Sequence, residues 1–420
     1  MNNTIKLAVA AALVAAASTA NAGISIPAGD WTLDIGGVVN AYYTSTRTSG
    51  TAGGLAGAND TGTKTASNIT TGLLPNYLSV SGKTRQNDLD VAFTISINPG
   101  ASTTAAGKQS AQQENRQAFL TFGDASWGSI KLGKDLGIYA SDAILNDMTL
   151  LGVGSGAGML AGNTTTLGRI GSGFMYADWK AQIAYSSPNW NGFNFTAGLT
   201  QAWNASNSSQ RGGSEPAFEG KASYAWTGDV AGKVWVSGIT QKVKGAGATL
   251  GSPAGYAYTT DRGVITSYGY QAAVAATPGQ DSRAESFDIG TTVNVAGFGL
   301  TGYYYDGRGI GQTVQLNQGF DAAGNRRDSN GGYVQGTYTI PNVGTKLGLS
   351  WGESNLDGTS LDSFNTQTNE MWTIGAYHPL TKHLNLVAEY SDVKFTTENK
   401  STANTEGKAQ TVSLGAILFF

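Results

Sequence analysis

The sequence predicts an all-β fold, a transmembrane antiparallel β-barrel of about 16 strands, and three observations point to it. After Gly23 no apolar stretch is long enough for a transmembrane helix. Segments of about ten residues with alternating apolar and polar side chains recur along the chain. The connections between these segments alternate between short and long. Because backbone polar groups inside a bilayer must pair within the protein, a chain that crosses without helices must close into a barrel.

The first 22 residues have the three parts of a secretory signal peptide. Lys6 precedes an apolar run from Leu7 to Ala17, and Ala20-Asn21-Ala22 matches the A-x-A pattern that signal peptidase cleaves. A short membrane anchor is the alternative, but a helix of about 11 residues rises only about 16 Å, roughly half of the hydrocarbon thickness. We therefore expect residues 1–22 to be removed, which leaves 23–420 as a single barrel domain.

The composition excludes several other classes of protein. Charged residues make up 13% of the chain, against roughly 25% in ordinary soluble domains, and 59 of its 420 residues are Gly, about twice the usual share. The chain has no Cys, so it offers neither a lipid-carrying Cys nor a disulfide framework. Removing Lys6 lowers the 26 basic residues to 25, against 29 acidic ones, a balance that gives no reason to propose nucleic acid as a partner.

The alternation is clearest in the segment 88–98. One face carries five apolar side chains, those of Leu89, Val91, Phe93, Ile95 and Ile97. The other face is polar, with Thr94, Ser96 and Asn98. Successive side chains of a strand point to opposite faces, so we expect the apolar face to meet lipid and the polar face to meet water. The segments 193–200 and 412–420 alternate in the same way.

Sixteen strands are predicted on this basis. Their bounds are 31–43, 73–83, 87–98, 115–123, 127–134, 175–187, 191–203, 216–227, 231–243, 284–295, 297–306, 331–340, 343–353, 369–379, 382–395 and 408–420. The stretch 244–283 leaves room for one further strand around 264–274. Eight aromatic residues near predicted strand ends fit interfacial girdles, namely Trp31, Tyr42, Tyr43, Trp179, Tyr185, Trp351, Trp372 and Tyr390.

The connections fall into two classes that alternate along the chain. Seven short turns lie at 84–86, 124–126, 188–190, 228–230, 296, 341–342 and 380–381. Eight long loops lie at 44–72, 99–114, 135–174, 204–215, 244–283, 307–330, 354–368 and 396–407. This pattern gives an even number of strands with both ends on the short-turn side, as in bacterial outer-membrane barrels. A soluble β-sandwich or β-helix would not require it, and a barrel of this size leaves a water-filled channel.

Several segments resemble those of the general diffusion porins of the Gram-negative outer membrane. Asn115-Arg116-Gln117-Ala118-Phe119-Leu120, followed by Gly128-Ser129-Ile130-Lys131-Leu132-Gly133-Lys134-Asp135, resembles the strand pair that leads into that family's third loop. Tyr139 to Met148 and Gly168-Arg169-Ile170-Gly171 resemble the loop itself and the strand entry after it. The resemblance implies an outer-membrane homotrimer that lets small hydrophilic solutes and ions diffuse passively through a water-filled channel.

The resemblance also implies a constriction. In that family the third loop folds inward and sets its acidic residues against basic residues of the wall. Here the loop at 135–174 carries Asp142 and Asp147, and the wall carries Arg116 and Arg169, with Lys131 on the strand before the loop.

The sequence departs from the family's pattern at several positions. The matching positions on the first two strands read Gly37 and Tyr77 rather than arginine, and Thr149-Leu150-Leu151-Gly152 replaces the family's Pro-Glu-Phe-Gly loop tip. The departures predict a weaker transverse field and, with a mildly acidic barrel, a weak cation preference.

The final residue, Phe420, follows alternating apolar residues and resembles the signal by which the barrel-assembly machinery recognises its clients. The expected partners are therefore that machinery during assembly, and outer-membrane lipid and lipopolysaccharide afterwards. We expect Phe420 to face lipid on the stripe with Leu414 and Leu418 and to pair the last strand with the first.

Other chemistry finds little support in the sequence. The two histidines, His378 and His383, flank one turn without a Cys or a spaced carboxylate cluster, so we expect neither a metal site nor an enzyme. The glycine run 152–158 lacks the Lys-Ser/Thr of a phosphate loop, and 321–328 lacks the spacing of a calcium loop. We expect no cofactor.

Two classes of function remain open. One is a non-specific diffusion channel. The other is a substrate-selective channel, for example for sugars, or a surface-interaction protein that uses its large loops. Tyr303 and Tyr305 lie on one face of a strand and hint at an aromatic ladder for sugars.

Overall fold

The chain folds into a closed antiparallel β-barrel of 16 strands in the described part of the structure, which is a computed structural model. The structure describes residues 23–51, 53–56, 64–101, 113–159, 165–203, 215–246, 254–261, 264–273 and 279–420. The predicted signal peptide, residues 1–22, lies outside these residues. Among the described residues, no helix is both long and apolar enough to span a bilayer.

The strands of the described residues are β1 (Ile24–Ala28), β2 (Trp31–Gly50), β3 (Thr65–Thr70), β4 (Tyr77–Gln86), β5 (Leu89–Pro99), β6 (Gln113–Glu114), β7 (Ala118–Asp124), β8 (Gly128–Leu136), β9 (Ser155–Met159), β10 (Thr166–Gly168), β11 (Trp179–Ser186), β12 (Phe193–Thr200), β13 (Ala217–Trp226), β14 (Val230–Ala246), β15 (Gly255–Asp261), β16 (Val264–Gln271), β17 (Gln280–Val295), β18 (Phe298–Arg308), β19 (Asp328–Thr339), β20 (Lys346–Asp357), β21 (Phe364–Pro379), β22 (Leu384–Asn399) and β23 (Thr405–Phe419). The described residues also form one α-helix, α1 (Ser141–Asn146), and two short 3-10 helices, Gly54–Ala56 and Met148–Leu151.

Sixteen of these strands form the wall, which confirms the predicted strand number. In order around the barrel they are β2, β4, β5, β7, β8, β11, β12, β13, β14, β17, β18, β19, β20, β21, β22 and β23, each antiparallel to the next. The barrel closes where β2 pairs with β23, with Val38 opposite Phe419 and Gly50 opposite Gly407. The first residues of β2, before Val38, pair instead with β1 in a hairpin. β1 therefore occupies the same edge of β2 as β23 does further along the strand.

The short turns lie at one end of the barrel and the longer loops at the other. The turn between β4 and β5 holds Asn87 and Asp88, both at positive φ, as a two-residue hairpin with the twist of its strands requires. Two loops are less than half as long as predicted. The connections predicted at 354–368 and 396–407 shrink to 358–363 and 400–404, because β20 to β23 extend further from the turns.

These extensions escaped prediction for a physical reason. Residues such as Asn355, Thr368 and Thr396 continue the hydrogen-bonded ladder, but their outward side chains are polar. A strand that rises above the lipid no longer needs an apolar face, so its alternation disappears while its backbone pairing persists. The further strand predicted around 264–274 corresponds to β16, which pairs with β15 in a separate hairpin and not with the wall.

The two faces of the wall follow the predicted alternation. Ile95 is 54% exposed on the outer face, whereas its neighbours Ser96 and Asn98 are buried on the inner face. Trp351 and Trp372 pair across strands on the outer face, as a girdle requires. Tyr42 does not belong to that girdle. Neighbouring side chains of a strand point to opposite faces, so Tyr43 lies on the outer face and Tyr42 is buried on the inner one. The Tyr42 hydroxyl donates a hydrogen bond to the Leu151 carbonyl at 2.7 Å.

Candidate pore constriction

The connection between β8 and β11, which we call loop 137–178, contains α1, the 3-10 helix at Met148–Leu151, β9 and β10. The two ends of this loop meet, since the Gly137 amide donates to the Asp178 carbonyl at 2.8 Å. Many of its residues are buried, and its hydrogen bonds reach strands at widely separated positions of the wall. Two wall carboxylates, which the sequence did not single out, hold its backbone.

The first of these carboxylates is Glu219 on β13, which is fully buried. Its Oε2 accepts hydrogen bonds from the backbone amides of Ile138 and Tyr139, each at 2.8 Å. Its Oε1 accepts from Lys180 Nζ at 2.6 Å and from Thr200 Oγ1 at 2.7 Å. A carboxylate with four donors around it satisfies both its charge and its lone pairs, so Glu219 anchors the start of the loop.

The second carboxylate is Glu389 on β22. It accepts from the backbone amides of Val153 and Gly154 at 2.7 and 2.9 Å, and from the Tyr377 hydroxyl at 2.6 Å. Gly152 permits this approach, because a Cβ at that position would lie 2.1 Å from Glu389 Oε1. The strands that carry the two carboxylates, β13 and β22, are seven positions apart in the ring of 16. The anchors therefore attach the loop to nearly opposite sides of the wall.

The middle of the loop contacts a third region of the wall, on β19. The Tyr333 hydroxyl donates to the Ala143 carbonyl at 2.9 Å, at α1. The Gln335 side chain joins the end of α1 to the start of the 3-10 helix. Its oxygen accepts from Met148 N at 2.6 Å, and its Nε2 donates to the Asn146 carbonyl at 3.1 Å.

The two tyrosines that hinted at a sugar ladder are covered by this loop. Tyr303 and Tyr305 are buried, and Phe174 of the loop packs edge-on against Tyr303 with ring centroids 6.5 Å apart. The Tyr303 hydroxyl donates to Asp288 at 3.0 Å. These rings therefore contribute to packing of the loop and not to a water-exposed aromatic track.

The structure brings together Arg169 and Asp147, but both belong to loop 137–178, so Arg169 is not the wall residue that the sequence predicted. Arg169 Nε lies 4.0 Å from Asp147 Oδ1, and both side chains are fully buried. Arg169 Nη1 donates to the carbonyls of Met371 at 2.9 Å and Ser172 at 3.2 Å, so it tethers the loop to β21. Asp147 accepts from the Thr149 amide at 3.0 Å and caps the 3-10 helix. The pair holds the fold of the loop and does not face water.

The other predicted pairings differ from the structure. Asp142 binds Lys221 at 3.2 Å and also Lys233, instead of a wall arginine. Arg116 binds Glu114 at 2.6 Å and Thr165 at 3.2 Å. Lys131 pairs with Asp135 on its own strand. The alternation of 216–227 and 231–243 could have identified Lys221 and Lys233, because it places both on the inner face.

Water-exposed charge in this region belongs mainly to lysines. The side chains of Lys131, Lys221 and Lys233 are 26%, 21% and 30% exposed, whereas Asp142 is only 5% exposed. A polar cavity of about 520 Å³ lies between the loop's helices and the wall on the short-turn side. The lining residues whose side chains can form hydrogen bonds include Asn146, Asp147, Thr292, Asn294, Gln335 and Lys346.

Among the described residues, no three His, Cys, Asp or Glu side chains come close enough together to hold a metal ion. His378 Nδ1 lies 2.8 Å from Thr345 Oγ1. The segment 321–328 forms a closed loop in which Asp321 accepts bonds from Ala323 N, Asn325 N and Thr359 Oγ1. Partial burial opposes the charge of Asp321, but these donors lower its pKa to about 2.

Comparisons with known proteins agree with this architecture. A model of the family described as Gram-negative porin matches residues 8–398. No curated protein matches the chain. The outer membrane channel DcaP of Acinetobacter baumannii has a TM-score of 0.60 at 15% identity, over 93% of this chain and 98% of that one. The anion-selective porin from Comamonas acidovorans has a TM-score of 0.57 at 14% identity, over 93% of this chain and 100% of that one. The trimer form of OmpT from Vibrio cholerae has a TM-score of 0.55 at 14% identity, over 93% of this chain and 99% of that one.

Proposed function

The chain belongs to the Gram-negative porin family, and from that premise we propose that it is an outer-membrane channel for passive diffusion whose neck is loop 137–178. One observation carries the proposal of the neck. Buried carboxylates on nearly opposite strands, Glu219 and Glu389, bind the backbone of the same loop. A segment attached in this way narrows a barrel whose width otherwise leaves an open aqueous lumen.

Liposome swelling with sugars of graded size tests this function. A diffusion channel gives rates that fall smoothly as the sugar becomes larger. A sugar-selective channel, the second candidate, admits one sugar faster than its size predicts. The burial of Tyr303 and Tyr305 favours the first candidate, because rings under a loop cannot stack on a passing sugar. A protein that gave no swelling with any sugar would contradict both.

We further propose that the functional unit is a homotrimer embedded among outer-membrane lipid and lipopolysaccharide. The trimer form of the Vibrio cholerae protein supports the trimer, since that barrel resembles this one along 93% of the chain. The outer face supports the lipid environment, because many large apolar side chains, such as Leu349 and Ile374, are more than half exposed there.

We propose a weak anion preference in place of the cation preference expected from the sequence. That expectation counted Asp142, Asp147, Arg116 and Arg169 as equal contributors, and all four are buried. The exposed charges near the neck are lysines, and passing ions respond most strongly to exposed charge at the narrowest place. The anion-selective porin from Comamonas acidovorans shows that a similar barrel supports such a preference.

Replacing Lys233 by Met tests the anion preference. A unit positive charge about 8 Å away stabilises an anion and destabilises a cation by about 0.5 kcal/mol each in water, so we expect the anion-to-cation permeability ratio to fall about fivefold at low salt. Reversal potentials in a salt gradient measure this ratio, and the change should shrink at high salt. Lys394→Met is the matched control, because Lys394 lies on the outer face and pairs with Glu406 at 3.1 Å. Equal reversal potentials for both variants would refute the preference.

We propose that Phe420 acts as an assembly signal as well as a closing residue. Its backbone exchanges two hydrogen bonds with Gly37, at 2.8 and 3.1 Å. Phe420→Ala keeps these bonds and removes only the ring, so we expect it to lower the amount of protein in the outer membrane while folding normally in detergent. Deletion of the residue should impair both. Normal levels of Phe420→Ala in the outer membrane would show that the ring is not read as a signal.

A further inference from the structure

A second loop, residues 309–327 between β18 and β19, leaves the wall and packs against the return of loop 137–178. Five side chains in its first half are almost completely buried, those of Ile310, Gln312, Val314, Gln315 and Leu316. Burial of two glutamines on a connection between strands requires partners for their amide groups, because an unpaired buried amide costs free energy. Both glutamines have such partners, on different parts of the wall and of the first loop.

Backbone contacts join the two loops directly. The Tyr176 amide donates to the Thr313 carbonyl at 3.0 Å, and Tyr176 and Val314 form a parallel bridge. Gln315 Nε2 adds hydrogen bonds to the carbonyls of Tyr176 at 3.0 Å and Ala177 at 3.2 Å. The second loop therefore covers the last residues of the first.

The buried ion pair Lys180–Glu219 connects both loops to the wall. Lys180 Nζ donates to Gln315 Oε1 at 2.6 Å and to Glu219 Oε1 at 2.6 Å. Glu219 also holds the start of loop 137–178, as described above. The strand of Lys180, β11, is five positions from β18 in the ring, so Gln315 reaches across part of the barrel interior.

The other side of the second loop is held on the strands next to its own. Gln312 Nε2 donates to the carbonyls of Ser354 at 2.7 Å and Gln367 at 2.9 Å, on β20 and β21. Arg327 binds Asp362 through two hydrogen bonds, 2.8 Å at Nε and 2.5 Å at Nη2, and this pairing lowers the pKa of Asp362. The loop thus has fixed supports on both sides.

We propose that loop 309–327 is a second constriction element and that Gln315 is the residue that sets its position. It narrows the channel on the long-loop side of the neck and holds the return of loop 137–178 in place. The size limit for solutes then depends on two stacked loops. This inference rests on the proposed neck, because a second barrier has meaning only in a channel that the first loop already narrows.

The substitution Gln315→Ala tests the proposal. It removes one of the two acceptors of Lys180 and the donor to the carbonyls of Tyr176 and Ala177, so the second loop loses its support on the β11 side. We expect larger sugars to swell liposomes several-fold faster relative to small ones, and single-channel conductance to rise. Gln318→Ala is the matched control, because Gln318 lies on the same loop with an exposed side chain. Heat-dependent mobility in detergent gels establishes that each variant has folded.

A rescue experiment separates the position of the loop from general damage. The chain has no Cys, so Tyr176→Cys with Val314→Cys creates one defined pair at a backbone bridge. Added to Gln315→Ala, the oxidised pair should restore the wild-type size limit, and reduction should abolish the rescue. The proposal would be overturned if the folded Gln315→Ala protein had the wild-type size limit. It would also be overturned if the size limit of the rescue variant were the same with the disulfide oxidised and reduced. A wild-type protein that admits no sugar would instead overturn the proposed function.

Discussion

Replacing Ile95 by Arg should destabilise the folded barrel by about 2–4 kcal/mol, the cost of a basic side chain on a lipid-facing position near the bilayer midplane. Ile95 lies near the middle of β5, and 54% of its side chain is exposed on the outer face. Phe93, which lies on the same face, is a poorer site for this test. It packs against Trp31 with ring centroids 5.7 Å apart, close to the short turns, where a charge is tolerated better.

The neighbouring substitution Thr94→Arg is the control. Thr94 lies on the inner face, where its hydroxyl is 2.9 Å from Ser81 Oγ, so the added guanidinium can reach water. Urea unfolding in lipid vesicles measures the two free energies of unfolding. Equal losses at 94 and 95 would mean that the wall has a different register.

Removal of the Glu219 carboxylate should cost about 3–5 kcal/mol, the usual effect of leaving a buried charge without its partner. Glu219→Ala strands the ammonium group of Lys180 and leaves the amides of Ile138 and Tyr139 without their acceptor. We expect a lower urea midpoint and a channel whose current fluctuates as the start of loop 137–178 moves.

The paired variant Lys180→Met with Glu219→Leu should recover part of this stability, because apolar residues of similar size replace both charges. It should not restore a steady current, since the loop still lacks its acceptor. Glu353→Ala serves as the control, because Glu353 is also a wall carboxylate, but within the described part of the chain its side chain accepts a single hydrogen bond, from Asn355 at 3.4 Å. If Glu219→Ala unfolded at the same urea concentration as Glu353→Ala, the contacts of Glu219 would not stabilise the folded protein.

The wall was predictable because its signal is local. Whether Ile95 or Ser96 faces lipid depends on a period of two residues, which any short stretch of the strand reveals. The same reasoning places Lys221 and Lys233 on the inner face. It cannot say that both lysines meet Asp142, because that depends on how a loop crosses the barrel.

The two carboxylates that anchor loop 137–178 are a clearer case of contacts that a local sequence pattern cannot predict. Glu219 and Glu389 appear in the sequence as isolated acids within alternating strands. Their function depends on backbone amides far away in the chain, and hydrogen bonds of this kind leave no pattern among neighbouring residues. The family resemblance pointed to both Arg169 and Asp147, but it placed Arg169 on the wall and did not indicate that both side chains are buried within the loop.

The closure of the barrel has a consequence for the order of folding. The first part of β2 pairs with β1 in a local hairpin, but the rest of it pairs with β23, at the other end of the chain. Contacts between residues so distant in sequence form slowly, since the entropy of closing the intervening chain opposes them. Until β23 arrives, the unpaired edge of β2 is open to pairing with other chains. A newly exported chain therefore needs protection against aggregation for as long as this last strand pair is missing.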